Sequence, residues 1–320
     1  MNTRCISFYL DFSQPIFLLT VALYSLERQY NGNIHISYGP NVPKWFVDIL
    51  KRHARVSTQL VTTKGKCCRV CALAHRNQSA ADGKSGFAHC CPQTHRDIPF
   101  GTRVMFDCDH VFIKPMENGV FEHVEQFDMS CFGFEVEHLR RMAIQKSTEV
   151  AAEIQAIGLP CDKVLQPSIG SCLGSTIQGA KLLDEWEEFI LKFAASKKRM
   201  LTTKFVDQHA LSYVMWRNKI PIGDNRYSYS GQVANQSDIK PPPADVMSIH
   251  FCHGRFMKRG ADHIYGTTLG EAIKSDFLGL NTEIKRYLAI HRPLLAYGPR
   301  LAIEHPTHGA VFAAAMKRAK

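Results

Sequence analysis

The sequence predicts an α/β protein built on a mostly parallel sheet flanked by helices. Three observations carry that prediction. The first sixty residues alternate strand-like and helix-like segments; residues 103–106 form a short, wholly apolar-patterned strand entered from a basic residue; and residues 182–195 make the clearest amphipathic helix of the chain, suited to lie against a sheet.

Taken in order, residues 5–10 are an apolar run with aromatic side chains and predict the first strand. Ser13 and Pro15 give a helix-start signal, and Ile16, Leu19, Leu23 and Leu26 recur at helical spacing until Tyr30-Asn31-Gly32-Asn33 stops the helix. Residues 34–38 alternate as a second strand, Gly39-Pro40 turns the chain, residues 43–53 predict a helix and residues 56–62 a third strand. Residues 64–99 are rich in Lys, Cys, His, Gly and Ser with little periodicity, and read as a loop-rich Cys/His insertion. The strand at residues 103–106 ends in Asp107-Cys108-Asp109, and a further apolar run at residues 111–113 is closed by Lys114-Pro115.

Residues 135–157 predict a long helix and residues 160–174 a turn-rich stretch. Leu183, Trp186, Phe189, Ile190 and Phe193 share one face of the helix at residues 182–195. A helix over residues 207–216, a short strand at 220–222, a polar proline-rich loop at 235–244 and a strong strand at 246–251 follow. Residues 259–320 are helical in pattern with Pro and Gly breaks, and end on Lys317-Arg318-Ala319-Lys320. No internal repeat is present, which excludes a solenoid. The expected organisation is one domain over residues 1–258, carrying the 64–99 insertion, and a helical segment over 259–320.

Composition narrows the class. With 45% hydrophobic and 21% charged residues over 320 positions, the chain has globular and not disordered character. The 39 basic residues against 29 acidic ones leave a formal charge of +10, favouring a polyanionic partner or an acidic substrate. The longest apolar run, residues 16–24, is too short for a transmembrane segment and lacks the flanks of a secretory leader. That absence and the odd count of 11 cysteines predict a cytoplasmic, reduced protein with free or metal-bound thiols.

The acidic pair is the most informative feature. Carboxylates two apart on an extended strand point the same way, so Asp107 and Asp109 can face one cation at the carboxyl edge of the sheet, where ligands of open α/β sheets bind. Hard oxygen ligands suit Mg²⁺ or Mn²⁺ bridging to substrate phosphates. The bland alternative is a solvated acidic turn.

The flanks decide between them. The run from Val104 through Pro115 resembles the strand, D-x-D and following "v-f-i-k-P" of nucleotide-sugar glycosyltransferases with the GT-A fold. The opening, including Ser25-Leu26 through Gly39, is similar to the first strand, helix and second strand of that fold; Leu182-Leu183-Asp184-Glu185-Trp186 resembles its "l-l-d-e-W" helix, and Asp207-Gln208-His209-Ala210-Leu211 its "D-Q-x-x-L". Ile249-His250-Phe251-Cys252, followed by Gly254 and Lys258, is like its late strand carrying a metal-binding histidine. Ordered pieces cover residues 5 to about 258, and the nearest likeness is to the glycogenin-like and bacterial galactosyltransferase group, family eight.

That resemblance implies a GT-A-type, Rossmann-like catalytic domain over residues 1–258. It implies an enzyme moving a hexose from a nucleotide diphosphate sugar, a UDP-sugar foremost, to an acceptor hydroxyl. Asp109, His250 and Asp107 would hold Mn²⁺ or Mg²⁺ with the diphosphate, Asp107 would also touch the donor ribose, Asp11 the uracil region, and Lys258 the phosphates. Gln208 would lie near the anomeric carbon with Asp207 beside it. On the residues alone, His250 also reads as a hydrogen-bonded core histidine, and Asp207 as a helix cap or as a general base for an inverting transfer.

Two further readings remain open at this stage. Cys68-x₂-Cys71 with Cys91 and His95 has the spacing of a tetrahedral structural Zn²⁺ site, against the alternative of buried thiols and solvated histidines. The acceptor is expected to be a glycan or lipid-linked glycan; the alternatives are DNA bearing a hydroxylated pyrimidine, which the positive charge favours, and a sugar-nucleotide-binding protein without turnover.

Overall fold

The computed structural model describes residues 3–10, 16–39, 42–61, 91–133, 137–162, 171–201, 206–230, 243–250 and 261–279. Strand β1 (Arg4–Leu10) carries buried side chains on both faces, Cys5, Ile6, Phe8 and Leu10 among them, a pattern that demands cover above and below. Helix α1 (Ile16–Glu27) follows it, then β2 (Asn33–Tyr38), α2 (Lys44–Leu50) and β3 (Val56–Leu60). The chain continues through α3 (Cys91–Asp97), β4 (Thr102–Phe106), β5 (His110–Phe112), α4 (Gly119–Phe127), β6 (Met129–Cys131) and α5 (Glu137–Ala156). Last come β7 (Cys172–Thr176), α6 (Ala180–Ala195), α7 (Val206–Arg217), β8 (Tyr229–Ser230), β9 (Ser248–His250) and α8 (Ala261–Lys274).

The main sheet has the order β3-β2-β1-β4-β7-β6. The first four strands are mutually parallel, and β7 runs antiparallel to both β4 and β6. This is the expected mostly parallel α/β architecture. A second, three-stranded sheet, β5-β9-β8, sits just past the carboxyl end of β4. Ser25 Oγ in α1 accepts the Phe112 N–H at 3.0 Å, so the first helix also anchors this small sheet.

Two apolar cores flank the main sheet. One gathers β1, β2, β4 and helices α1, α2 and α4 around Phe8, Phe46, Phe106 and Phe121; the other packs α5, α6 and α7 around Trp186, Phe193 and Tyr213. The α6 face read from the sequence, Leu183, Trp186, Phe189, Ile190 and Phe193, is the buried one. Helix α8 packs on α1. Among the described residues no helix is long and apolar enough to cross a membrane.

Several elements depart from expectation. Residues 91–97, expected as loop, are helical, and α4 and β6 appear where no element is expected. Strand β7 lies at the end of the stretch read as turns. Its Gly174 weakens the strand signal for a packing reason: a Cβ there would stand 2.1 Å from Val124 Cγ2 of α4. The strand expected at residues 220–222 does not form. Lys219 takes a left-handed φ of 55°, Ile220 turns into the second core, and pairing is limited to a single bridge between Gly223 and Phe132. The remainder of the loop at 235–242 and residues 280–320 lie outside the described residues.

Candidate metal centre

Phe106 ends β4, and residues 107–109 turn tightly before β5 begins at His110. The two carboxylates are therefore brought together by a turn and not, as the strand argument expects, by alternation along an extended backbone. Two anchors shape the turn. The Asp107 N–H donates to the Ser171 carbonyl at 2.9 Å, carrying the β4–β7 pairing one step further. Cys108 Sγ donates to the Tyr9 carbonyl at 3.1 Å, which folds the middle residue inward onto the end of β1.

His250 arrives from far along the chain. Strand β9 pairs antiparallel with β5 in a register that sets His250 opposite His110. Its Nε2 lies 3.2 Å from Asp109 Oδ1 and 3.6 Å from Asp107 Oδ2. All three side chains expected to meet do meet. The Asp109 and His250 side chains are 9% and 6% exposed, while that of Asp107, at 53%, stands at the mouth.

Removal from water and then repulsion by Asp109 hold the Asp107 carboxyl above the usual carboxylate range; Asp207 adds to that repulsion and His250 opposes it. Water at its outer edge screens part of this, but the crowding of carboxylates acts in one direction. Such crowding is a cost that a divalent cation relieves. Two carboxylates and an imidazole make a donor set suited to Mn²⁺ or Mg²⁺, so the residues present fit that cofactor.

His110 joins them, a residue that sequence reasoning did not single out. Asp109, His110 and His250 offer ligand atoms within 4.8 Å of one another. Both His110 nitrogens, however, have protein partners: Nδ1 donates to the Asp107 carbonyl at 2.9 Å, and Nε2 faces Ser228 Oγ at 3.0 Å. Burial first, and the neighbouring His250 second, push its pKa down to about 3. The one available signal was its position directly after the acidic pair.

Asp207 sits in the first turn of α7, close enough for its charge to act on Asp107. Trp186 Nε1 donates to the Asp207 carbonyl at 2.8 Å, so the tryptophan of one family-like motif fixes the start of the other. Gln208 is half-buried on the same turn. Asp11 and Lys258 lie outside the described residues, as do Cys68 and Cys71 of the zinc reading. His95 is buried under the sheet with Nδ1 at 2.8 Å from Ser175 Oγ, and burial lowers its pKa to about 3.

No protein-family model matches the chain, and neither does any curated protein sequence. Solved structures do. A galactosyltransferase, LgtC, in complex with donor and acceptor sugar analogues, aligns with a TM-score of 0.55 over 83% of this chain and 95% of that one at 12% identity. An active-site variant of LgtC, glutamine replaced by glutamate, aligns over the same shares with a TM-score of 0.52 and 13% identity. The chain has the GT-A glycosyltransferase fold. In this GT-A chain, the acidic turn and His250 converge where β4 leaves the main sheet, beside the first turn of α7.

Proposed function

We propose that this protein is a metal-dependent glycosyltransferase that moves a hexose from a UDP-sugar to an acceptor hydroxyl on a glycan or lipid-linked glycan. The observation that carries this reading is the meeting of Asp107, Asp109 and His250 at the carboxyl edge of a GT-A sheet. The same fold in LgtC serves a galactosyltransferase crystallised with donor and acceptor sugar analogues, which supports a sugar-nucleotide donor here.

Asp109 and His250, nearly closed to water, and Asp107, at the mouth, would hold Mn²⁺ or Mg²⁺. When bound, the cation supplies neutralisation of the charge that develops on the departing diphosphate. The chain's own residues supply the rest. Asp107 at the outer edge is the carboxylate best exposed to a donor ribose. Asp207 would be the base if the transfer inverts, accepting the proton of an acceptor hydroxyl brought within hydrogen-bond reach. Gln208 is neither base nor strong nucleophile; its amide oxygen would orient toward the positive anomeric centre. LgtC also has a glutamine in its active site. Asp11 and Lys258 are assigned to the uracil and phosphate ends of the donor.

The test is a screen of UDP- and GDP-sugars for Mn²⁺-dependent hydrolysis and transfer. A UDP-hexose should be hydrolysed only with the cation, and Asp109→Ala should abolish turnover while the circular dichroism spectrum is retained. Full activity in Asp109→Ala would contradict the assignment.

A further inference from the structure

We propose that His110 is the positioning residue of this centre, its imidazole clamped between the Asp107 carbonyl and the Ser228 hydroxyl so as to hold the acidic turn and the His250 ring in ligating geometry. The proposal rests on the reading that Asp107, Asp109 and His250 hold a cation.

A carbonyl can only accept, so the Asp107 contact at 2.9 Å requires the His110 proton on Nδ1. Phe106 and Phe112 enclose the ring, with centroids at 5.1 and 6.3 Å, and Nε2 faces the Ser228 hydroxyl at 3.0 Å, placed to accept its O–H. Ser228 Oγ lies 3.2 Å from Ser171 Oγ, and the Ser171 carbonyl accepts the Asp107 N–H. The hydrogen bonds thus close a ring that starts at the Asp107 N–H and ends at the Asp107 carbonyl. Both polar groups of the residue carrying the outer carboxylate are fixed by it.

The same imidazole braces the third ligand. His110 and His250 are cross-strand partners, their rings 4.7 Å apart and 15° from parallel. The stack restricts rotation of the His250 ring and keeps Nε2 toward the carboxylates. Partners that orient ligands in this way change metal affinity about 10–100-fold when removed. His110 is therefore assigned to alignment, with ligation left to the other three.

Titration of the full chain with Mn²⁺, followed by electron paramagnetic resonance, tests this beside long-range ¹H–¹⁵N spectra of the histidine rings in metal-free protein. Wild type should bind Mn²⁺ and show His110 as the Nδ1–H tautomer. His110→Phe keeps a stacking ring but loses both hydrogen bonds, and should weaken Mn²⁺ binding about tenfold or more. His110→Asn retains a donor at the Nδ1 position and should recover part of that loss. Ser228→Ala removes only the Nε2 partner and should weaken binding less than His110→Phe, with the Nδ1–H tautomer retained by the Asp107 carbonyl. Wild-type affinity in His110→Phe, no recovery in His110→Asn, or an Nε2–H tautomer in wild type would each overturn the proposal. Wild type that binds no Mn²⁺ would overturn the cation reading beneath it, and the titration of wild type alone reveals that case.

Discussion

Trp186→Phe separates the two halves of the site. Trp186 is 2% exposed, and its indole N–H bonds the Asp207 carbonyl at 2.8 Å, tying α6 to the turn that carries Asp207 and Gln208. Losing the bond costs about 1 kcal/mol. The smaller ring leaves a gap worth about 1–2 kcal/mol more. With 320 residues and an unfolding entropy of about 2.1 cal/mol/K per residue, 2–3 kcal/mol lowers Tm by about 3–5 °C. Calorimetry reads the shift directly. Release of the α7 turn should also lower kcat of donor hydrolysis, since small displacements of a reacting group cost up to about a hundredfold. Mn²⁺ affinity should stay at the wild-type value, because Trp186 bonds to none of the three cation-holding residues. An unchanged Tm, or an Mn²⁺ affinity that falls together with kcat, would contradict the link between the two helices.

Asp109→Asn should weaken Mn²⁺ binding beyond the 10–100-fold typical of an outer partner, measured by calorimetric titration, with the fold retained; an affinity within tenfold of wild type would exclude Asp109 as a ligand. Gly174→Ala puts a Cβ against Val124, at 2.1 Å in the present backbone, and should cost about 1–3 kcal/mol in urea unfolding. Val124→Ala in the same chain should return most of it, whereas simply additive losses would refute the close approach of α4. Burial holds His35 neutral, its pKa lowered to about 4. The unfolded chain then binds the extra proton between pH 6.5 and 4, so stability is full above pH 6.5 and falls on acidification by about 3 kcal/mol in all. His35→Gln should flatten that slope in urea melts across pH, and an unaltered slope would refute it.

The part of the fold most readable in the sequence is α6, whose buried stripe from Leu183 to Phe193 follows helical spacing. Helix α1 is legible from the spacing of Ile16, Leu19, Leu23 and Leu26, but it is buried nearly all round, with Thr20, Val21, Ala22, Tyr24 and Ser25 enclosed as well. Strand β7 is different: Cys172, Leu173, Gly174, Ser175 and Thr176 are buried because β4 and β6 enclose them, which no local pattern records. Arg103 is another such case. It is 2% exposed, with its guanidinium on Ser175 Oγ and the Thr176 carbonyl, and a basic residue at a strand start ordinarily reads as surface. At the site, the pair Asp107 and Asp109 was legible from residue type and spacing, and His250 through the family resemblance. The turn that aims the first two was not, since it depends on Cys108 reaching the Tyr9 carbonyl. His110 was hidden for a similar reason: its partner Ser228 is 118 residues away, and only the β5–β9 register brings its ring onto His250.

The most direct measurement is anomalous diffraction at the manganese edge from crystals of the full chain grown with Mn²⁺. One strong peak bounded by Asp107, Asp109 and His250, with His110 outside its ligand sphere, is the result expected from the geometry. A peak elsewhere, or none at saturating Mn²⁺, would mean that these side chains meet for another purpose.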